Sequence, residues 1–226
     1  MSRGERYAAI LVRLSEKTLE LNICAQVARA VPHPPVLIWF GLTQKQEARA
    51  GFDACTRLNG RLLIFQFKAS NRVQRSGERL FQMPHQQFVQ LRARVGAATR
   101  SIFYAFPLVG TTLELTANPD LLSQTWLMDV ATVPALPVPT TDRGRHRRNG
   151  CHNVYVVPGH ATIHSDPVEQ GLFPIKELCA HVFEGADGVK GQFEQNADKF
   201  LEFCRLFGRG AYGLVVARDL DPVPRP

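Results

Sequence analysis

Two runs rich in apolar residues, Phe52 to Leu58 and Arg61 to Ser70, are separated only by Asn59-Gly60. That dipeptide suits the tight type I′ hairpin turn, in which both central residues need positive φ. A two-residue turn fixes the register, with Leu58 opposite Arg61, Cys55 opposite Ile64 and Asp53 opposite Gln66. Side chains alternate along each strand, so Phe52, Ala54, Leu63, Phe65 and Phe67 share one face and form a core surface. Asp53, Gln66 and Lys68 share the other. A longer loop would shift every one of these pairings.

The flanking segments fill in a pattern of helices and strands. Ser15 is placed to cap a helix through Leu19, Ile23 and Val27, ending near the prolines at 32, 34 and 35. Pro35 to Phe40 is an apolar run of strand type. Thr43-Gln-Lys-Gln46 has the form of a capping box and predicts a helix over 44–50, with Glu47 in its middle and Gly51 at its C′ position. After Lys68 comes a polar connection, Asn71 to Arg79. Pro84 then opens a helix with Phe88, Leu91 and Val95 at helical spacing, and Ser101 to Phe106 reads as a buried strand. A strand, a crossover helix and a second strand imply a right-handed parallel pairing, so the class is α/β.

Residues 107–150 are less regular, with Pro134, Pro137 and Pro139 marking a connection. Asn153 to Val157 reads as a strand. Phe193, Ala197, Phe200, Leu201, Cys204 and Phe207 trace a late helix closed by Gly208, and Tyr212 to Ala217 a last strand. No internal repeat is visible. The expected organisation is one domain over residues 1–226, with a core over about 41–106 and an elaboration over about 107–226.

The chain has 226 residues, 45% apolar and 21% charged, which supports a sizeable core. No apolar run approaches the roughly 20 residues of a membrane span. Arg3 and Arg6 precede an apolar stretch, but it ends at Arg13 without a cleavage site, so no secretory signal is read. Five scattered cysteines without C-x-x-C spacing point to a reducing compartment, and the cytoplasm is the expected location. The net charge of +7 suits a phosphate-rich partner better than a cationic one. There is no G-x-x-x-x-G-K-[ST] or G-x-G-x-x-G cradle and no nucleophile–base pattern for acyl transfer.

The polar face of the hairpin carries the chemistry. Directly opposed residues hold their Cβ atoms about 4.5–5.5 Å apart. From Asp53 and Gln66, a carboxylate and an amide oxygen can therefore reach one hard cation, which prefers oxygen ligands. The Phe67 carbonyl can add a ligand and Glu47 a second charge. Lys68, one alternation beyond Gln66, can orient a water or stabilise charge developing on a phosphate. The same alternation also describes a half-exposed hairpin, with Gln66 and Lys68 facing water and Asp53 beside Lys68 as a solvated ion pair.

Glu47, Gly51-Phe-Asp53-Ala and Ile64-Phe-Gln66-Phe-Lys68 together resemble the PD-(D/E)xK nuclease superfamily. The likeness is to its glutamine-variant branch, as in Mrr-type nucleases, and covers roughly residues 41–106. It implies a restriction-endonuclease-like fold, a mixed central sheet flanked by helices with C-terminal elaborations. It also implies Mg²⁺-dependent (or Mn²⁺-dependent) endonuclease hydrolysis of phosphodiesters, most directly in DNA, and a role in nucleic-acid processing or defence against foreign DNA. Asp53 matches the metal aspartate, Gln66 the second ligand position, Lys68 the catalytic lysine and Glu47 the acid of the first helix. Two features depart from the pattern. Phe52 stands where a proline is usual, and Gln66 lacks the usual charge, which gives Glu47 more weight.

Arg143, Arg145, Arg147 and Arg148 form a dense cationic loop that can grip a phosphate backbone or stand as a solvated surface loop. Arg72 and Arg75 flank the candidate site in sequence. Cys151-His152, His160 and His164 invite zinc, but Pro158-Gly159 and Asp166-Pro167 bracket the last two and argue against a helical metal face. Two other classes stay open. One is a nucleic-acid-binding or assembly module of the same fold without catalysis; the other is a protein-interaction subunit whose arginines meet an acidic partner. Cutting both strands would favour a homodimer or a larger complex.

Overall fold

The computed structural model describes residues 12–30, 39–41, 51–58, 61–95, 101–139, 150–164 and 167–184. Helix α1 spans Glu16–Ala30. Its N-terminus is capped as the sequence predicts: the Ser15 hydroxyl accepts from the Thr18 N–H at 3.0 Å. Leu19, Ile23, Cys24 and Val27 make its buried face.

Strand β1 (Trp39–Gly41) pairs antiparallel with β2 (Ala54–Leu58), which pairs antiparallel with β3 (Arg61–Phe67). The β2–β3 register has Leu58 opposite Arg61, Cys55 opposite Ile64 and Ala54 opposite Phe65, the register of a two-residue Asn-Gly turn. From β3 the chain crosses through β4 (Arg79–Pro84) and α2 (His85–Val95) to β5 (Ile102–Pro107). Strand β5 lies parallel to β3, with Tyr104 opposite Gln66. Two short helices, α3 (Thr112–Ala117) and α4 (Leu121–Gln124), lead to β6 (Thr125–Asp129). Strand β6 runs antiparallel to β5.

Strands β7 (Cys151–Val157), β8 (His160–His164) and β9 (Val168–Gly171) follow, then β10 (Phe173–Pro174) and α5 (Ile175–Glu184). The result is a mixed α/β fold with a six-stranded sheet, β1-β2-β3-β5-β6-β10, and a four-stranded sheet, β4-β7-β8-β9.

Both faces of the larger sheet are buried. On one, Leu63, Phe65, Phe67, Phe103 and Leu127 pack with Leu19, Ile23 and Val27 of α1 and Ile175 and Leu178 of α5. On the other, Ile64, Tyr104, Phe106 and Met128 pack with Phe88 and Leu91 of α2 and with Phe81, Met83, Val154 and Val156 of the second sheet. Central strands covered on both faces read as nearly continuous apolar runs, as Ile102–Pro107 does.

The second sheet was not foreseen: β4 begins where the polar connection after Lys68 ends and pairs with β7. Residues 107–150, expected to be less regular, contain α3, α4 and β6 ahead of the prolines, and β6 and β10 extend the larger sheet. Phe52 packs with Ile64 and Tyr104, not with Phe65 and Phe67, because the chain leaves the regular ladder at Asp53. The face carrying Gln66 is not a solvated surface, since Asp53, Gln66 and Lys68 are all buried. The predicted helices over 44–50 and about 193–207 and the strand over 212–217 lie outside the described residues. Among the described residues no helix is long and apolar enough to cross a membrane.

Candidate active site

Asp53 lies one residue before β2, where that strand parts from β3. Its N–H donates to the Phe65 carbonyl at 3.2 Å, so Asp53 and Ala54 both face Phe65 and Asp53 is not squarely opposite Gln66. The divergence leaves the Phe67 N–H without a strand partner on that side, and the Asp53 carboxylate takes it at 2.7 Å through Oδ2. The same oxygen accepts from Gln66 Nε2 at 2.6 Å, and that nitrogen also donates to the Phe67 carbonyl at 3.0 Å. On the far side of the amide, Gln66 Oε1 accepts from Gln87 Nε2 of α2 at 2.7 Å.

Lys68 follows at the carboxyl end of β3. Its N–H donates to the Ala105 carbonyl of β5 at 3.0 Å. Its Nζ lies 3.9 Å from Glu16 Oε1, at the first residue of α1. The lysine side chain is 8% exposed against 48% for Glu16, so the cluster is buried on its lysine side and opens toward water at the start of α1. Ends of parallel strands beside a helix terminus are where open α/β sheets place their ligands.

Burial pushes the Asp53 carboxyl up to about 7, against the opposing pull of Lys68, the Phe67 N–H and Gln66. The negative charge of Glu16 adds to the rise. Tyr104, opposite Gln66 on β5, is driven well above its usual value, first by burial and then by Asp53. Among the described residues the Tyr104 hydroxyl and Gln87 Oε1 are buried without a hydrogen-bond partner.

The structure thus brings together Asp53, Gln66, Phe67 and Lys68, but not by the expected strand pairing: the ladder ends at Ala54 opposite Phe65, and the Asp53 carboxylate reaches Gln66 and Phe67 by side-chain hydrogen bonds. A second detail differs. The Gln66 amide turns its nitrogen, not its oxygen, toward Asp53, because that nitrogen can serve the carboxylate and the Phe67 carbonyl at once. Glu47, Arg143, Arg145, Arg147 and Arg148 lie outside the described residues. Arg72 and Arg75 are exposed on the connection between β3 and β4.

Three residues were not picked out from the sequence: Glu16, Gln87 and Tyr104. Glu16 had a signal, an acid in the first turn behind the Ser15 cap, but nothing in the sequence ties that turn to Lys68. Gln87 is a polar residue off the apolar stripe of its helix, and Tyr104 lies within an apolar run; neither pattern marks a site.

The histidines take other positions. His85 Nδ1 and His152 Nε2 are 2.9 Å apart, and His152 is fully buried. Burial, and secondarily His85, push His152 down to about 4. His160 pairs with Glu169, and the His164 ring lies 4.7 Å from that of Tyr155. Among the described residues, no three His, Cys, Asp or Glu side chains are grouped so as to hold a metal ion. The donor set around Asp53 is therefore one carboxylate, an amide and a backbone carbonyl, with Glu16 across Lys68.

Comparison with protein families, with curated proteins and with solved structures finds no match to this chain.

Proposed function

We infer that this chain is a divalent-cation-dependent nuclease of restriction-endonuclease-like arrangement, hydrolysing phosphodiester bonds, most directly in DNA. The observation that carries the reading is the convergence of Asp53, Gln66, the Phe67 carbonyl and Lys68 at one buried strand end. Buried charged side chains are rare unless something compensates them. A carboxyl raised to about 7 by its surroundings is undercompensated, and a hard cation would complete its shell.

The donors fit such an ion: Asp53 and Phe67 supply oxygens, and Gln66 does so once its amide turns. A Mg²⁺ or Mn²⁺ held there would supply Lewis-acid polarisation of a phosphate oxygen. Lys68 contributes a fixed ammonium, desolvated and therefore strong, positioned to donate to phosphate charge as it develops. Glu16 holds that ammonium from the solvent side. The net charge of +7 favours approach of a polyanion, and Arg72 and Arg75, exposed on the connection that follows β3, offer phosphate contacts. The role in defence against foreign DNA that the resemblance implies belongs with this reading.

One observation favours a second reading. With the Gln66 nitrogen on Asp53, the carboxylate is already served without a cation, which suits a nucleic-acid-binding module of the same fold that does not cut. Metal dependence separates the two. Plasmid and single-stranded DNA are incubated with wild type, Asp53→Ala and Lys68→Ala in Mg²⁺, Mn²⁺ or EDTA. The expected result is metal-dependent cutting that falls at least about 10²-fold in each variant, with their circular dichroism unchanged. Equal cutting by folded variants would overturn the reading. DNA binding indifferent to EDTA, with no cutting by wild type, would establish the second.

A further inference from the structure

We propose that the Glu16 carboxylate is a displaceable occupant of an oxyanion site at the carboxyl end of β3, standing where a phosphodiester oxygen docks on Lys68 and the Ala69 N–H. The proposal rests on the phosphodiester reading above and adds what regulates entry to that site.

Lys68 is a buried ammonium without a hydrogen-bond acceptor among the described residues. Its side chain is 8% exposed, and its close partner is Glu16 Oε1 at 3.9 Å, beyond hydrogen-bond length. Buried charges are normally paired and hydrogen-bonded, so the donors of this ammonium are held unused at the strand end. The next backbone N–H reaches the same atom. Ala69 donates to Glu16 Oε1 at 3.4 Å, again a long contact. One oxygen thus sits loosely between two donors that follow each other in the chain.

The charge of that occupant matters. Glu16 and Asp53 act on each other as like charges, and Lys68 opposes both. With both carboxylates ionised, the three side chains carry one net negative charge and turn a phosphate away. With Glu16 withdrawn, Asp53 and Lys68 balance and the two donors are free.

The parts differ in freedom, which decides the one that moves. Lys68 is fixed: its N–H donates to the Ala105 carbonyl at 3.0 Å, and two residues on, the Ser70 carbonyl accepts from Arg79 at 2.6 Å. The main chain entering α1 is fixed too. The Leu14 N–H donates to the Gly110 carbonyl at 2.9 Å, and the Ser15 hydroxyl caps the helix. The Glu16 side chain is not fixed, being 48% exposed and held, among the described residues, by the two long contacts. Four residues on stands Glu20, a like charge engaged by Lys17 at 2.8 Å, which gives Glu16 no support along the helix. Rotation of the Glu16 side chain into water therefore opens the site without moving either backbone, and a half-exposed ion pair resists it little.

The test is a titration of the full chain in EDTA, followed at the Ala69 amide by ¹H–¹⁵N NMR. The probe is thymidylyl-thymidine, which carries a single phosphodiester, with inorganic phosphate in a parallel arm. Glu16→Gln keeps length and removes the charge. It is expected to lower the half-saturating dinucleotide concentration at Ala69 about fivefold, the scale of one unit charge at about 4 Å in water. Glu169→Gln removes an equal, exposed charge from β9 of the other sheet and is expected to change it less than about 1.5-fold. Lys68→Met is expected to abolish the Ala69 response. Glu16→Gln binding as wild type does, or more weakly, would overturn the proposal, because a carboxylate that helps to hold the ligand is missed when it goes. So would equal tightening in Glu169→Gln, an undiminished response in Lys68→Met, or tightening confined to inorganic phosphate. The Glu16 and Glu169 variants decide the matter even where Lys68→Met does not fold. The titration involves no cutting, so its failure and that of the nuclease reading are separate. Wild type whose Ala69 response sharpens in Glu16→Gln but which never cuts with Mg²⁺ keeps the displaced carboxylate and loses the nuclease. Wild type that cuts while Glu16→Gln gains nothing keeps the nuclease and loses the displacement.

Discussion

His85 and Gln87 stand two positions apart in the first turn of α2 and serve buried polar partners in different sheets. Gln87 reaches Gln66 of β3 and through it Asp53; His85 reaches His152 of β7. Burial drives both titrating groups toward neutrality, Asp53 up to about 7 and His152 down to about 4. The difference lies in their company. Asp53 has two hydrogen-bond donors and Lys68 nearby, all opposing the rise, so its site is organised around a charge. His152 has beside it a second imidazole, whose charge would push it further down. One pair is arranged to keep or attract an ion and the other to exclude a proton, from the same helical turn.

The largest way to disturb this comparison is Phe88→Ala. The Phe88 ring meets His152 edge-on with centroids 6.4 Å apart, and the residue is 1% exposed. Its removal should cost about 3–5 kcal/mol in urea unfolding. Water reaching the cavity should also raise the His152 titration toward 6.5, read by imidazole NMR shifts. A His152 titration that stays near 4 would mean that something other than this packing excludes the proton.

The two groups should also bend stability with pH in opposite senses. The folded-state pKa of Asp53 is raised from 3.8 to about 7, so its contribution is present below 3.8 and lost as pH rises toward 7. That of His152 is lowered from 6.5 to about 4, so its contribution is present above 6.5 and lost as pH falls toward 4. They amount to about 4 kcal/mol for Asp53 and about 3 kcal/mol for His152 over their windows, and in wild type they largely offset each other. In EDTA, Asp53→Asn should lose stability relative to wild type on acidification from 6.5 to 4. His152→Gln should gain it over the same range. Parallel curves for both variants would refute the opposition.

What could be read in advance follows the range of the forces involved. The hairpin register was legible because Asn59-Gly60 leaves the strands no other short turn, and α1, α2 and β5 because caps, prolines and apolar spacing are local. The second sheet was not, since β4 pairs with β7 across a long separation and carries no pattern that names its partner. The expectation that Gln66 and Lys68 belong to a polar face was half right. Alternation separates the two faces of a strand, but it cannot tell which of them meets water when helices and a second sheet cover both. The Gln66 amide direction, Glu16 beside Lys68 and the Gln87 contact are tertiary consequences, visible only once α1 and α2 are packed.

The smallest effect expected is the one that separates the two pairs most cleanly. His85→Ala removes the ring partner at 2.9 Å and the second imidazole charge together. Loss of one buried hydrogen bond should cost about 1 kcal/mol at neutral pH. The acid loss of stability should become shallower, because burial alone then holds His152 down. The Asp53 side should not respond. The His85 N–H donates to the Gly150 carbonyl at 2.9 Å, a backbone bond that alanine keeps, so the first turn of α2 and the Gln87 side chain should stay in place. Mn²⁺ affinity equal to wild type, measured beside the shallower acid curve, is the expected pair of results. A change in Mn²⁺ affinity would mean instead that the two pairs are coupled through the helix they share, and that the turn carrying them moves as a unit.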